Sequence, residues 1–307
     1  MWVWLLLPGH GEEFERPPAR SGGVPTWISS TPAGAALALG LALALAPAEA
    51  SASPAARNPR ADTVRRVFPS AVRLEIAVGG EVVRSASGVA FARAAGRSYV
   101  LTNAHVVEPS ASWKGTMEAR VLGADGKIRI AARVVARGQA PENDLAVLEV
   151  TAELPITPLA PDDALELGDD LVVIGAPFGK GLSVAAGIVS QVEYAFVENA
   201  AAPPAPKALK TDAAIGYGSS GGGVFDVPAG RLVGLVEGYR TARVAFGGKE
   251  KDAERYAFDV PMPGETFVAP AAKIRRFLGE HGLAQLAGGP AREGAPPAGP
   301  VFAPAAL

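Results

Sequence analysis

The chain has 307 residues, 49% hydrophobic and 20% charged, with a formal net charge of -2. It can therefore bury a sizeable core, and it lacks the basic excess that would hold nucleic acid or an anionic membrane surface. It has no cysteine, which excludes disulfides, thiol chemistry and Cys-ligated metal; its three histidines, His10, His105 and His281, lie far apart in sequence, so no metal or cofactor is expected.

Residues 33–46, AGAALALGLALALA, form an uncharged Leu/Ala run. It is shorter than the roughly 20 residues a membrane-crossing helix needs and fits the apolar core of a signal peptide. Ala48, Ala50 and Ala52 follow as small residues, so cleavage is expected after Ala50 or Ala52, with an uncleaved anchor as the alternative. The residues ahead of the run hold Glu12, Glu13 and Glu15 against Arg16 and Arg20, where a leader normally opens with net positive charge; a start codon assigned too far upstream would account for this. A leader over residues 1–52 implies an exported protein, periplasmic or extracellular, and leaves 27 basic and 27 acidic residues in the mature chain.

Short apolar runs then recur: Val72–Val78, Gly88–Ala92, Ser98–Asn103, Glu118–Leu122, Ile128–Ala136, Leu145–Val150, Leu171–Ile174, Ser183–Phe196, Gly222–Phe225, Leu232–Val236 and Glu254–Val260. They are rich in Val, Ile and Leu and many are separated by Gly, Pro or Asp, which predicts an all-β sandwich or barrel. Residues 198–209, ENAAAPPAPKAL, read as a loop. Helical signals are few. Ala61–Phe68 could make one or two turns. Pro270–Leu283 places Ile274, Phe277 and Leu278 on one stripe behind a first-turn proline, with Gly282 as its stop. Residues 288–307 are Gly/Pro/Ala-rich and read as a disordered tail, leaving 53–287 as one two-lobed β domain.

Three segments carry chemistry. Tyr99–Val107, YVLTNAHVV, runs a buried-looking strand into His105. Glu142–Leu148, ENDLAVL, sets Asp144 at the mouth of an apolar strand. Thr211–Gly223, TDAAIGYGSSGGG, holds Ser220 in a glycine-rich turn. A serine hydroxyl is a poor nucleophile at neutral pH and needs a base within reach. The imidazole needs a carboxylate to fix its tautomer, and the developing oxyanion needs backbone N–H donors. The glycines around Ser220 would let the Gly218 and Ser220 N–H groups turn inward.

These segments resemble the trypsin-like (chymotrypsin-fold) serine proteases, and within them the bacterial HtrA/Deg group. Gly175-Ala176-Pro177-Phe178-Gly179 and Gly187-Ile188-Val189-Ser190 resemble two further segments of that group, so the likeness covers roughly residues 65–280. The resemblance implies two six-stranded antiparallel β-barrels with a C-terminal helix, and a site in the cleft between the barrels. His105 and Asp144 would lie on the first barrel and Ser220 on the second. It assigns His105 as general base, Asp144 as orienting acid, Ser220 as nucleophile, and Gly218 and Ser220 as oxyanion donors. The activity implied is endopeptidase cleavage through an acyl-enzyme. The partners implied are protein or peptide substrates, unfolded ones included, and no nucleic acid.

The group usually has Asn where this chain has Ser219, Asn-Pro where it has Gly216-Tyr217, and Pro where it has Gly223, so a looser turn is expected. The PDZ domain that usually follows the protease in the group is not expected. In trypsin-like enzymes the residue six before the nucleophile lies at the base of the primary specificity pocket. Here it is Ala214, beside Ile215, which predicts small or medium apolar side chains before the scissile bond. Glu237 falls on a strand expected to border that pocket; the favoured reading of its charge is an outward-facing position on an edge strand.

Two other readings compete. Gly218–Gly222 fits G-x-S-x-G, the nucleophile elbow of an esterase, which requires a helix after the serine and would need His281 as base. The other is a protease fold kept as a catalytically weak or inactive binding module.

Overall fold

A computed structural model describes residues 58–127, 129–161, 165–194, 206–246 and 256–288, and the expected leader and tail lie outside them. Helix α1 (Pro59–Val67) leads into strands β1 (Ala71–Val78), β2 (Glu81–Ala94), β3 (Arg97–Thr102), β4 (Met117–Leu122), β5 (Arg129–Arg137) and β6 (Ala146–Val150). Then come β7 (Asp170–Gly175), β8 (Ser183–Tyr194), β9 (Pro206–Thr211), β10 (Gly223–Asp226), β11 (Leu232–Phe246), β12 (Tyr256–Pro270) and helix α2 (Ala271–Glu280). The strands close into two six-stranded barrels, in the orders β1-β2-β3-β6-β5-β4 and β7-β8-β9-β12-β11-β10. Every ladder within them is antiparallel. The two halves repeat one topology, which closure suits because it leaves no free sheet edge.

Side-chain alternation along the strands builds three cores rather than two. On β6, Ala146, Leu148 and Val150 point into the first barrel with Leu74, Ile76 and Val100. Val147, on the opposite face, joins Leu145, Leu101 and Phe91 in a layer shared with Ile174, Phe225 and Leu235 of the second barrel. The second barrel closes over its own interior of Leu171, Val173, Val224, Val236 and Val268. Where a strand has its own barrel on one side and the sister barrel on the other it is apolar on both faces, hence the unbroken run Leu145–Leu148.

The helix expected over Pro270–Leu283 is α2, with Pro270 as its N-cap and Gly282 in the left-handed region at φ +70° just past its end. Its stripe of Ile274, Phe277 and Leu278 enters the layer between the barrels. Each of these fully buried side chains contributes about 1.5–3 kcal/mol. α1 adds Val67 to the same layer.

Two strands extend beyond their expected bounds. Residues 206–209, read as loop, open strand β9, whose Leu209 is buried in the second barrel between β8 and β12. Their Pro/Ala composition hides a strand whose inward position comes only once per pair of residues. β11 also runs ten residues past the Val236 at which the apolar pattern stops, to Phe246, because its outer part pairs only with β12. The expected strand end at Phe196 and start at Glu254 lie outside the described residues.

Candidate active site

His105 and Asp144 meet because β3 and β6 are antiparallel neighbours with Thr102 opposite Ala146. His105 follows Thr102 in a short 3-10 turn, Ala104–Val107, and Asp144 precedes β6, so continuing the register brings the two together. His105 Nδ1 is 2.7 Å from Asp144 Oδ2, and the His105 backbone N–H donates to Asp144 Oδ1 at 2.9 Å. Buried Asn103 donates its side-chain amide to the Asp144 carbonyl at 2.9 Å. Asp144 is 2% exposed, and its carboxylate is held by the His105 backbone N–H and ring. A carboxylate on Nδ1 leaves Nε2 as the basic nitrogen.

Ser220 comes to the same strands from the other barrel. Its carbonyl accepts from the Ser87 N–H on β2 at 2.9 Å. The Ser87 carbonyl in turn accepts from Thr102 Oγ1 at 2.9 Å, three residues before His105. Gly221 packs into this junction at φ +82°, where a Cβ would stand 2.2 Å from the Ser87 carbonyl oxygen. Gly218 is likewise left-handed, at φ +85°, and a Cβ there would lie 2.7 Å from the Ala176 carbonyl oxygen. Glycine at these two positions is a steric requirement of joining the turn to its neighbours.

The turn that sequence departures marked as looser is closed by its own bonds. Ser219 N–H donates to the Gly216 carbonyl at 3.0 Å, Gly222 N–H to the Ser219 carbonyl at 2.9 Å, and Gly216 N–H to Ser219 Oγ at 3.3 Å. Ser219 is buried and so fills the place of the expected Asn with a hydroxyl that caps the turn from inside. Among the described residues, no protein acceptor takes the N–H of Gly218 or Ser220.

Ser87 was not singled out from sequence. Its fully buried hydroxyl accepts from the Ala176 N–H at 2.7 Å and donates to the Gly218 carbonyl at 2.6 Å. It thus orients the peptide that follows Gly218 from the first barrel. One serine in the run RSASGVA carries no signal of this, since its role depends on a contact 131 residues away.

Ala214 and Ile215 line a recess of about 60 Å³ together with Val173, Gly175 and Pro177, and among the described residues no charged one lines it. Glu237 does not line it. β11 lies between β10 and β12, so the reading of an outward charge on an edge strand fails: the Glu237 side chain is only 18% exposed and its Oε1 lies 2.6 Å from Lys273 Nζ on α2. Burial pushes the Glu237 carboxyl above the usual carboxylate range, against the pull of Lys273; nearby Asp144 adds to the rise and His105 opposes it. The other two histidines stand apart from the site: His10 is outside the described residues, and His281 caps α2, with Nδ1 2.9 Å from the Phe277 carbonyl oxygen and its ring 4.3 Å from that of Phe277. After Ser220 the chain enters strand β10 and not a helix, so the esterase elbow is not formed.

Two closed antiparallel barrels, a His–Asp pair on one and a glycine-flanked serine turn on the other define a chymotrypsin-fold architecture. Residues 86–235 match the trypsin-like peptidase domain family. The chain is 32% identical over 182 residues to the serine protease Do-like HtrA of Bacillus subtilis, covering 58% of this chain and 36% of that protein. It is 37% identical over 145 residues to the periplasmic serine endoprotease DegP of Salmonella typhimurium, covering 46% of this chain and 27% of that protein. The serine endoprotease from Yersinia pestis superposes with a TM-score of 0.54 at 23% identity, over 75% of this chain and 68% of that one, which shows the shared fold. The chain therefore carries a trypsin-like peptidase domain, homologous to the HtrA/DegP serine proteases. It spans well under half the length of those curated relatives.

Proposed function

We propose that this protein is an exported serine endopeptidase that cleaves peptide bonds in protein substrates, unfolded ones included, through His105, Asp144 and Ser220. The observation that carries this is the His105–Asp144 pair at 2.7 Å, joined through Thr102 and Ser87 to the Ser220 turn. In the mechanism, His105 Nε2 takes the Ser220 proton as Oγ attacks the scissile carbonyl, and Asp144 stabilises the imidazolium that forms. The Gly218 and Ser220 N–H groups receive the oxyanion. His105 then returns the proton to the leaving amine, and water hydrolyses the acyl-enzyme on Ser220 by the same base. The uncharged recess at Ala214 and Ile215 supports small apolar side chains before the scissile bond. Export rests on the apolar run at 33–46 and on the periplasmic homologue.

The test is casein cleavage by the purified protein and its Ser220→Ala variant, alongside labelling by a serine-directed phosphonate. Wild type should cleave and label; the variant should do neither, with a loss of the order of 10⁶-fold in turnover. A wild type that neither cleaves nor labels would replace this reading with that of a protease-fold binding module, which the Ser219 and Gly216-Tyr217 departures favour as second choice. Labelling without peptide cleavage would indicate an esterase.

A further inference from the structure

The buried Glu237–Lys273 pair has no part in the mechanism above, yet it sits beside it. Val236 accepts from the Gly221 N–H at 3.0 Å and donates to the Gly222 carbonyl at 2.9 Å, so β11 runs directly alongside the serine turn. The next residue is Glu237, and there the β11–β12 register slips: Val236 pairs with Val268 and Gly238 with Phe267, so Glu237 is the extra residue of a bulge. A bulge re-aims the side chain it carries. Here the carboxylate is directed into the protein to Lys273, itself only 16% exposed, instead of to water.

Beside the serine turn, Glu237 thus adds a second carboxylate within electrostatic range of the Asp144–His105 pair. Like charges in one neighbourhood oppose each other's ionisation unless a cation offsets them. Lys273 is that cation, projected from the first turn of α2. Other charged groups approach from further elements. Arg84 of β2 donates to the Val106 carbonyl at 2.8 Å and to that of His105, and Glu280 of α2 accepts from the side-chain amide of Asn143 at 3.5 Å. Among these described groups, Glu237 and Lys273 are the mutually paired, largely buried couple beside the serine turn.

Resting on the triad reading above, we infer that Glu237 and Lys273 are positioning residues, a charge-balanced couple that sets how readily His105 holds a proton. The geometric basis is the inward turn of Glu237 at the bulge beside the serine turn and its pairing with Lys273. The sign for each partner follows. Glu237→Gln leaves an unbalanced cation, which disfavours the imidazolium. Lys273→Met leaves an unbalanced carboxylate, which favours it.

The experiment is the second-order rate of phosphonate labelling of Ser220 against pH, which needs no natural substrate and whose acid limb reports the free protein's general base. For Glu237→Gln the limb should move to lower pH by about half a unit or more, and for Lys273→Met to higher pH by a similar amount. The double variant, neutral at both positions, should return to within about 0.3 units of wild type. If the single variants lose rate with limbs unmoved, or move the same way, the pair is structural packing and the inference is overturned. If wild type labels at no pH, the triad reading itself has failed, a result distinct from labelling with unmoved limbs. Should Lys273→Met not fold, Lys273→Gln replaces it, and an unmoved limb in Glu237→Gln suffices to overturn the inference.

Discussion

Ser87→Ala tests whether the peptide between the two proposed oxyanion donors is held from the opposite barrel. The hydroxyl is buried and makes two short bonds, from the Ala176 N–H at 2.7 Å and to the Gly218 carbonyl at 2.6 Å. Its removal strands the buried Ala176 N–H and the part-buried Gly218 carbonyl, at about 1–3 kcal/mol each, so a loss of about 2–6 kcal/mol is expected. That is a large share of the roughly 5–15 kcal/mol that holds a domain together. At about 2–4 °C per kcal/mol for a domain of this size, the melting temperature should fall by about 4–24 °C. Catalysis should suffer separately, because the Gly218 carbonyl loses its tether and the neighbouring peptides lose their aim; losing one oxyanion donor costs about 10²–10³ in kcat. The measurements are urea unfolding and kcat on casein-derived peptides at a temperature where the variant is fully folded. A stability change under about 0.5 kcal/mol, or a kcat within about threefold of wild type, would refute the reasoning.

Asp144→Asn keeps the size of the side chain but offers an N–H₂ to a site that now receives two N–H donors, so kcat should fall about 10⁴-fold with KM little changed, in steady-state kinetics. Ala214→Asp places a carboxylate in an uncharged recess; cleavage-site mapping by mass spectrometry should then show cuts shifting from small apolar residues toward Lys and Arg, and an unchanged map would remove Ala214 from the pocket. Stability should also report on Glu237. Because burial raises its pKa, the folded protein binds that proton more tightly than the unfolded chain, and its contribution to stability declines as pH rises from the ordinary carboxylate range through the raised value. Glu237→Gln abolishes that decline, so the variant's stability relative to wild type should climb across the window in denaturant titrations, whereas parallel curves would contradict it.

The His105, Asp144 and Ser220 segments were legible because each joins a chemically special residue to a strand end, and strand ends advertise themselves through apolar runs that stop. The same property made Leu145–Val150 and α2 readable, since both are apolar on the faces that meet the shared layer. What escaped lacked such contrast. β9 hides in Pro and Ala, and its single inward Leu209 is too little for a pattern. Ser87 acts through partners over 80 residues distant, and nothing local separates it from Ser85. Glu237 was misread because a charge in a strand ordinarily points outward; the bulge that turns it inward and the lysine that receives it are both consequences of tertiary pairing.

The wedge formed by Ile274, Phe277 and Leu278 bears on when, as well as how, this chain can act. A ribosome delivers the first barrel, then the serine turn, then β12, and only afterwards the helix that completes the layer between the halves. An unfinished chain has His105 on one barrel and Ser220 on the other, with the layer between them still short of the three side chains that α2 contributes. Under the proposed function, the site is therefore fully assembled only once residues near 280 have emerged.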